Sequence, residues 1–215
     1  MKIAIIGISG FVGKTITKEL VERNHQVLGI CRQNILSDTQ NLTYRSLDVN
    51  QTDQLAKELA EYDVVVSAFS AGWNQENMHL KFVDGSTSIL KAVKLAKVKR
   101  FIVIGGAGTL YVNELIQAVD TPEFPEAFKA VALAAREYYQ ILKREEDLNW
   151  LYFSPAFEIH PGITTGRTGN YRHRMNHPIF DENGKSTLSV EDLAVAIADE
   201  IEAPKYSQTI FTAAY

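Results

Sequence analysis

Cysteine is nearly missing. Cys31 stands alone among 215 residues, so no disulfide can close within the chain, which fits a reducing compartment and a cytoplasmic location. Basic charge is also scarce. Lysine and arginine total 22 against 26 acids, a formal net charge of −4. Without a basic excess the chain is not expected to bind nucleic acid, whose phosphates call for one. Nothing approaches the ~18–20 apolar residues of a membrane span. The apolar start Ile3–Ile6 gives way to glycines, with neither the long apolar core nor the cleavage site of a signal peptide. Repeats, low-complexity tracts and linker-like stretches are absent too, so residues 1–215 read as a single domain.

What is present is alternation. Hydrophobic residues make up 46% of the chain, enough for a well-buried core. Short β-rich runs lie at Lys2–Ile6, Gln26–Cys31, Tyr44–Leu47, Asp63–Ala68, Arg100–Ile104, Trp150–Phe153 and Thr209–Thr212. Between them come helix-like stretches at Phe11–Arg23, Asp53–Glu61, His79–Ala96, Pro125–Arg144 and Val190–Glu202. Runs such as Val64-Val65-Val66 and Phe101-Ile102-Val103-Ile104 are apolar without alternation, as in a parallel sheet covered on both faces. The pattern predicts an α/β fold with a doubly wound, mostly parallel sheet of about seven strands in three α/β/α layers. Thr52 or Asn50 is expected to cap the helix entered at Asp53, and Ser189 with Asp192 resembles a capping box.

Gly7-Ile8-Ser9-Gly10-Phe11-Val12-Gly13 follows the first strand directly and opens the first helix. Gly7 would let the chain turn sharply, Gly10 would let backbone approach a pyrophosphate, and Gly13 would let helix and strand pack closely. The helix N-terminus offers free N–H groups and partial positive charge to phosphates, so this turn predicts a dinucleotide site. Gly13-Lys14-Thr15 resembles the end of a Walker A loop, but Ile8 stands where that motif needs glycine, which argues against ATP or GTP hydrolysis. The second strand ends Cys31-Arg32, where an acid would bind a ribose 2′-hydroxyl. Arg32 is suited to fork onto a 2′-phosphate, which predicts NADP(H) over NAD(H); the bland alternative is a solvent-facing arginine. Asp48 and Val49 after the third strand could bracket the adenine. Ala68-Phe69-Ser70-Ala71-Gly72 and Gly105-Gly106-Ala107-Gly108 close strands four and five with small residues that leave room for ribose and nicotinamide.

Together with Asp147 through Ala156, Gly166-Arg167-Thr168-Gly169, Asp181 through Gly184 and Glu191-Asp192-Leu193-Ala194, these pieces give the whole chain a likeness. It resembles the atypical short-chain dehydrogenases, and more narrowly the small bacterial NADH-flavin reductase group, kin to biliverdin-IXβ reductase and NmrA-like proteins. The resemblance implies an NADP-linked Rossmann fold with a short substrate segment, residues 157–187, after the sixth strand. The expected cofactor set is Gly7, Ser9, Gly10, Phe11, Val12, Gly13, Arg32, Asp48, Val49, Ala68, Phe69, Ser70, Gly105, Gly106 and Pro155.

Short-chain dehydrogenases protonate a carbonyl with a serine and a Tyr-x-x-x-Lys pair. Here the serine position holds Gly105–Gly108. Tyr139 and Lys143 match the spacing but fall late in their helix, and counting back from Trp150 as the resemblance suggests puts the dyad near Ala132 and Arg136. The offset of seven residues is about 10 Å of helix. Tyr139 also keeps step with Phe128, Val131, Ala135 and Leu142, as a buried stripe would. No catalytic side chain is therefore named. The expected reaction is hydride transfer to a flavin-like or quinone-like acceptor, with flavin a substrate rather than a resident group. The alternative is an NmrA-type sensor that binds NADP(H) and acts through a protein partner. An epimerase or dehydratase would need the dyad and a second domain.

Residues 157–187 carry His160, His173 and His177, whose spacing does not suit a metal, so none is expected. Arg172-His173-Arg174 could receive an anionic substrate or be a solvated charge run. Trp73, Tyr111, Phe157 and Tyr171 could stack on a planar acceptor or pack in the core. The expected partner is a small molecule, with no membrane association, and the monomer and homodimer readings both stay open.

Overall fold

The computed structural model describes residues 1–35, 38–72 and 76–215. Eight strands join in one sheet: β1 (Lys2–Ile6), β2 (Gln26–Cys31), β3 (Leu42–Ser46), β4 (Val64–Ser67), β5 (Arg100–Ile104), β6 (Trp150–Phe153), β7 (Arg172–Met175) and β8 (Thr209–Ala214). Their order is β3-β2-β1-β4-β5-β6-β8-β7, parallel throughout except for β7 against β8. The helices are α1 (Phe11–Glu22), α2 (Thr52–Leu59), α3 (Met78–Leu95), α4 (Glu126–Leu142) and α5 (Val190–Glu202).

The unbroken apolar strands follow from cover on both faces. Ile3, Ile5, Val64, Val66, Leu151 and Phe153 meet Ile16 and Leu20 of α1 and Leu193 and Ile197 of α5. The alternating residues Ala4, Ile6, Val65, Phe101 and Val103 meet Leu55 of α2, Ile89 and Val93 of α3, and Leu142 of α4. Because successive strand side chains point to opposite faces, a strand with helices on both sides cannot spare a polar position. β1 and β4 are neighbours while their chain neighbours depart in opposite directions, which opens a crevice at the carboxyl ends of β1 and β4.

The predicted doubly wound α/β class is the one observed. The strand count was one short: β7, carrying Arg172-His173-Arg174, reads as polar because it is an antiparallel edge strand and exposed throughout. β3 starts two residues earlier than expected, at Leu42. Neither proposed cap serves α2. Gln51 occupies that position without a side-chain bond, Thr52 instead meets Ser88 (2.7 Å), and Asn50 bonds to Asp48 (3.0 Å). Ser189 does cap α5, accepting from the Asp192 amide at 3.0 Å. The Asp192 carboxylate does not complete the box. Fully buried, it accepts from the Thr168 amide and hydroxyl (2.8 and 2.6 Å), the Gly169 amide (2.8 Å) and the Tyr215 hydroxyl (2.8 Å).

The segment after β6 is thus tied to the α1–α5 side. Arg167 forks onto Glu19 with two 2.8 Å bonds, Arg23 adds a third at 2.8 Å, and Arg23 also reaches Asp199 at 2.7 Å. The Arg167 bonds hold the Glu19 carboxyl below the usual range, against the opposing effect of its burial.

Candidate cofactor site

The site begins where β1 runs out. The Gly7 amide donates to Ile30 O of β2 and the Ala68 amide to Ile6 O, each at 2.9 Å, so Gly7 lies between the ends of β2 and β4. Gly7 has a φ of +86°, and a Cβ there would stand 2.4 Å from Ala68 O. A Cβ on Gly13 would stand 2.3 Å from Gly7 O. Both positions are closed to side chains, because turn, β4 and α1 touch backbone to backbone. Gly10 differs. Among the described residues its only neighbour within 4 Å of a built Cβ is Gly7 O, at 3.3 Å, so they leave the space above it open.

That space faces the start of α1. Gly10 caps it with no side-chain bond, and the first turn holds no acid. Among the described residues the amides of Phe11, Val12 and Gly13 have no acceptor. Three free donors on a positive helix end, above a glycine that leaves room, suit a pyrophosphate. The residues present fit the group.

Around this turn lie the ends of the neighbouring strands. Val49 and Phe69 pack beneath Gly85 of α3, where a Cβ would come within 2.6 Å of the Phe69 ring. Phe69 stacks on Phe82 with centroids 6.1 Å apart, giving the crevice an apolar wall. Asp48 lies exposed at the mouth, and its Oδ1 accepts from the Asn50 amide and side chain (2.9 and 3.0 Å). Beyond β2 and β3 is a cleft of about 410 Å³ lined by Arg32, Arg45, Asp48, Gln51, Gln54 and Glu58. Ser46 Oγ donates to Arg32 O at 2.9 Å and fixes the backbone there, while the Arg32 side chain is exposed.

Past β5 the chain bends over β6. Gly105 is required because the Tyr152 ring stands 2.0 Å from where its Cβ would be. Thr109 Oγ1 donates to Gly106 O at 2.8 Å and meets Ser154 Oγ at 2.6 Å. Since Thr109 has one hydroxyl proton, Ser154 is the donor in that second bond. This buried pair welds the Gly105–Gly108 turn to the end of β6, next to Pro155.

Residues 7–204 match the family described as NAD(P)H-binding. The chain belongs to that family. A candidate exported protein of Burkholderia pseudomallei is 41% identical, each chain covered in full, with a TM-score of 0.89. A candidate epimerase of Bacteroides thetaiotaomicron is 34% identical over 100% of this chain and 96% of its own, TM-score 0.89. A candidate NADH-flavin reductase of Streptococcus pneumoniae is 32% identical over 100% of this chain and 99% of its own, TM-score 0.86. As an NAD(P)H-binding chain, this protein has a nicotinamide cofactor as its natural ligand, and its eight-stranded fold is the Rossmann-like one of those neighbours.

Against this family frame the expected site residues divide. Gly7, Ser9, Gly10, Phe11, Val12, Gly13, Ala68, Phe69 and Ser70 come together at the β1–β4 crevice, with Arg32, Asp48 and Val49 on its β2–β3 side and Gly105, Gly106 and Pro155 on its β5–β6 side. The expected acceptor residues scatter. Trp73 lies outside the described residues. Tyr111 is clipped into the α4 side, its carbonyl 2.7 Å from His177 Nδ1 and its amide donating to Asn176 O. Tyr171 donates to Asp199 Oδ2 at 2.6 Å, and burial followed by that bond pushes its phenol pKa up. Asp199 stands near the far end of α5, so Tyr171 belongs to the staple that holds the segment, not to the crevice. Arg172 is on edge strand β7, bonded to the Phe180 and Tyr215 carbonyls. Strand alternation splits the cluster: His173 turns to Tyr206 and Phe211, while Arg172 and Arg174 take the opposite face. Phe157 stays beside the carboxyl edge, exposed and 5.9 Å from the Phe180 ring, and Arg172, paired with Ala214 at the end of β8, lies at the same edge but is held by the Phe180 and Tyr215 carbonyls. His160, His173 and His177 each turn to different partners, and among the described residues no three metal-binding side chains cluster.

The structure also locates the tyrosine and lysine. A Cβ on Gly108 would lie 2.9 Å from the Ala132 methyl, and one on Gly106 3.6 Å from that of Ala135. Ala132 therefore faces the turn after β5, where the counted register puts it, and Arg136 grips both Asp120 oxygens (2.6 and 2.7 Å). Tyr139 is buried between Trp150 and Tyr152, and Lys143 is exposed beyond the end of α4. Sequence reasoning missed Arg45 and Glu58 in the cleft and the Thr109–Ser154 weld. Arg45 carried a signal, a cation at the end of a strand next to β2. The weld carried none.

Proposed function

We propose that this chain is an NADP(H)-dependent oxidoreductase that delivers hydride to a flat conjugated acceptor of the flavin or quinone class. The observation that carries the reading is the uncapped start of α1 under open space at Gly10, with an arginine rather than a carboxylate at the end of β2. The amides of Phe11, Val12 and Gly13 would bind the pyrophosphate, and Arg32 the 2′-phosphate. When bound, the nicotinamide supplies the hydride. The backbone of Gly105 and Gly106 would line its place, the room beside Gly105 being taken by the Tyr152 ring, and Phe157 offers a ring surface for the acceptor.

The acceptor class follows from what faces the turn after β5. Among the described residues, Ala132, Phe124 and Ala135 are what side chains on Gly106 and Gly108 would meet, and none is an acid or base, so a substrate needing a protein proton is poorly served. A flavin or quinone takes hydride into a conjugated system and can take its proton from water. The candidate flavin reductase of Streptococcus pneumoniae agrees with this class, although its name says NADH where Arg32 favours NADPH. Epimerase chemistry would need a base near the transferred hydride. The lack of an acid among the described residues there also favours a second reading, an NmrA-type sensor that binds NADP(H) without turnover. The lone Cys31, buried, fits a cytoplasmic setting, and among the described residues no helix is long and apolar enough to cross a membrane.

Fluorescence titration with NADPH and NADH, followed by NADPH oxidation across a panel of flavins and quinones, tests the reading. NADPH should bind about 10- to 100-fold tighter than NADH, with the difference sharply reduced in Arg32→Ala. Equal affinities would remove the NADP assignment. Tight binding with no turnover on any acceptor would leave the sensor.

A further inference from the structure

The cleft beyond β2 and β3 contains a second guanidinium that the proposed function leaves unused. Leu42 and Tyr44 of β3 pack on the α1 side, so strand alternation turns Arg45 to the α2 side, where it lines the cleft with Arg32. The two arginines differ in one respect. Among the described residues the Arg32 side chain has no acceptor, whereas Arg45 Nε donates to Glu58 Oε2 at 3.1 Å and its NH1 to Tyr44 O at 3.1 Å. Glu58 lies on the last turn of α2 and reaches the cleft from its helix side. With Asp48 at the mouth, two guanidiniums are matched by two carboxylates, and the cleft is close to neutral as a whole.

A near-neutral cleft selects a phosphate only if a cation can be freed locally. The Arg45–Glu58 pair is half-exposed, 57% and 37%, and such pairs are weak. A phosphate dianion offers Arg45 a stronger, bidentate partner than a single carboxylate oxygen does. Resting on the NADP(H) reading above, we propose that Arg45 is a second, specificity-determining cation for the 2′-phosphate, and that Glu58 holds it in reserve. The pair opens when the ribose carries a 2′-phosphate and stays closed when it does not. Glu58 therefore sets how strongly the chain discriminates between the two dinucleotides.

Titrating the full chain with NADPH and NADH in wild type, R45A, E58Q and the R45A/E58Q double variant tests this. E58Q should tighten NADPH by about two- to fivefold and leave NADH unchanged, because it removes a competing charge from a weak exposed pair. R45A should weaken NADPH by about three- to tenfold. In the double variant the E58Q gain should vanish, since no second cation remains to be released. Unchanged NADPH affinity in E58Q, an equal gain for NADH, or the same gain without Arg45 would each overturn the inference. A wild-type preference that Arg32→Ala abolishes but R45A and E58Q leave alone would keep the NADP(H) reading and remove this proposal. A wild type indifferent to the 2′-phosphate would remove the NADP(H) reading and this proposal with it.

Discussion

At the glycine turn the molecule is shaped by backbone, and in the segment after β6 it is shaped by charged side chains. Gly7, Gly13 and Ala68 touch through main-chain atoms at distances no side chain would permit, and the amides left over at Phe11, Val12 and Gly13 point at open space. Residues 157–187 are held by Arg167 and Arg23 on Glu19, by Tyr171 and Arg23 on Asp199, and by Thr168, Gly169 and Tyr215 on the buried Asp192. The first region leaves its helix-start donors without acceptors among the described residues, whereas in the second Arg167, Thr168, Gly169 and Tyr171 each have a carboxylate partner. Unsatisfied donors at a helix start are what a ligand needs, and a saturated ionic network is what a scaffold needs. The comparison separates a site from its support even though both were candidates for function.

The sharpest way to break the comparison is inside the turn itself. Gly10→Val places its methyls in the open space and should cost NADPH at least about 100-fold in affinity, with the fold intact, since its Cβ has one neighbour at 3.3 Å. Gly7→Ala should do the opposite. Its Cβ would meet Ala68 O at 2.4 Å on a left-handed backbone, so about 2–4 kcal/mol of stability should go. Urea unfolding and cofactor titration on both variants separate the effects. Full NADPH binding in a folded Gly10→Val chain would put the pyrophosphate elsewhere.

The same contrast explains what could be read in advance. Turn, helix start and strand ends are local in sequence, so Gly7, Gly10, Gly13 and Arg32 announce themselves by spacing. The central strands announce themselves by unbroken apolar runs, because both faces are covered. β7 does not, since an edge strand guards its open side with charge, and Arg172-His173-Arg174 reads as loop. The staple is invisible for another reason. Arg167 and Glu19 are 148 positions apart, and nothing in either neighbourhood names the other. Tyr171 therefore passes for an acceptor-binding aromatic until its hydroxyl is seen on Asp199.

A middle-sized effect should come from acid. The Arg167 bonds depress the folded pKa of Glu19 relative to the unfolded chain, so the stability they confer is fully present above the unfolded carboxylate value of about 4.3. It is lost as pH falls through the lower, folded value. Between pH 7 and pH 3, wild type should lose about 1–2 kcal/mol more stability than Glu19→Gln, which has no such charge to neutralise. Urea unfolding at both pH values reads the difference. The turn, held by backbone, should contribute nothing to it. Identical acid sensitivity in the two proteins would mean that the ionic staple is decorative.

The smallest effect expected is at the residue a motif search would favour first. Tyr139 and Lys143 have the dehydrogenase spacing, but the chain puts Ala132 against Gly108, where such a phenol would have to stand. Tyr139 lies seven positions further along α4, its ring 5.1 Å from Tyr152 and 6.3 Å from Trp150. Burial pushes its pKa up to about 12, away from the range useful for proton transfer near neutrality. In a working dyad the lysine stands beside the phenol in the site; here Lys143 is exposed past the helix end. A general acid in use contributes ~10²–10⁴-fold in rate. Tyr139→Phe keeps the ring and its packing, so turnover on whichever acceptor proves active should change by less than about threefold. Tyr139→Ala would not serve, because the cavity it opens would unsettle β6 and α4 together. A hundredfold loss of turnover in Tyr139→Phe, with NADPH affinity intact, would bring Tyr139 into the chemistry. It would then be the register of α4 that is wrong, and carbonyl reduction would replace the conjugated acceptor.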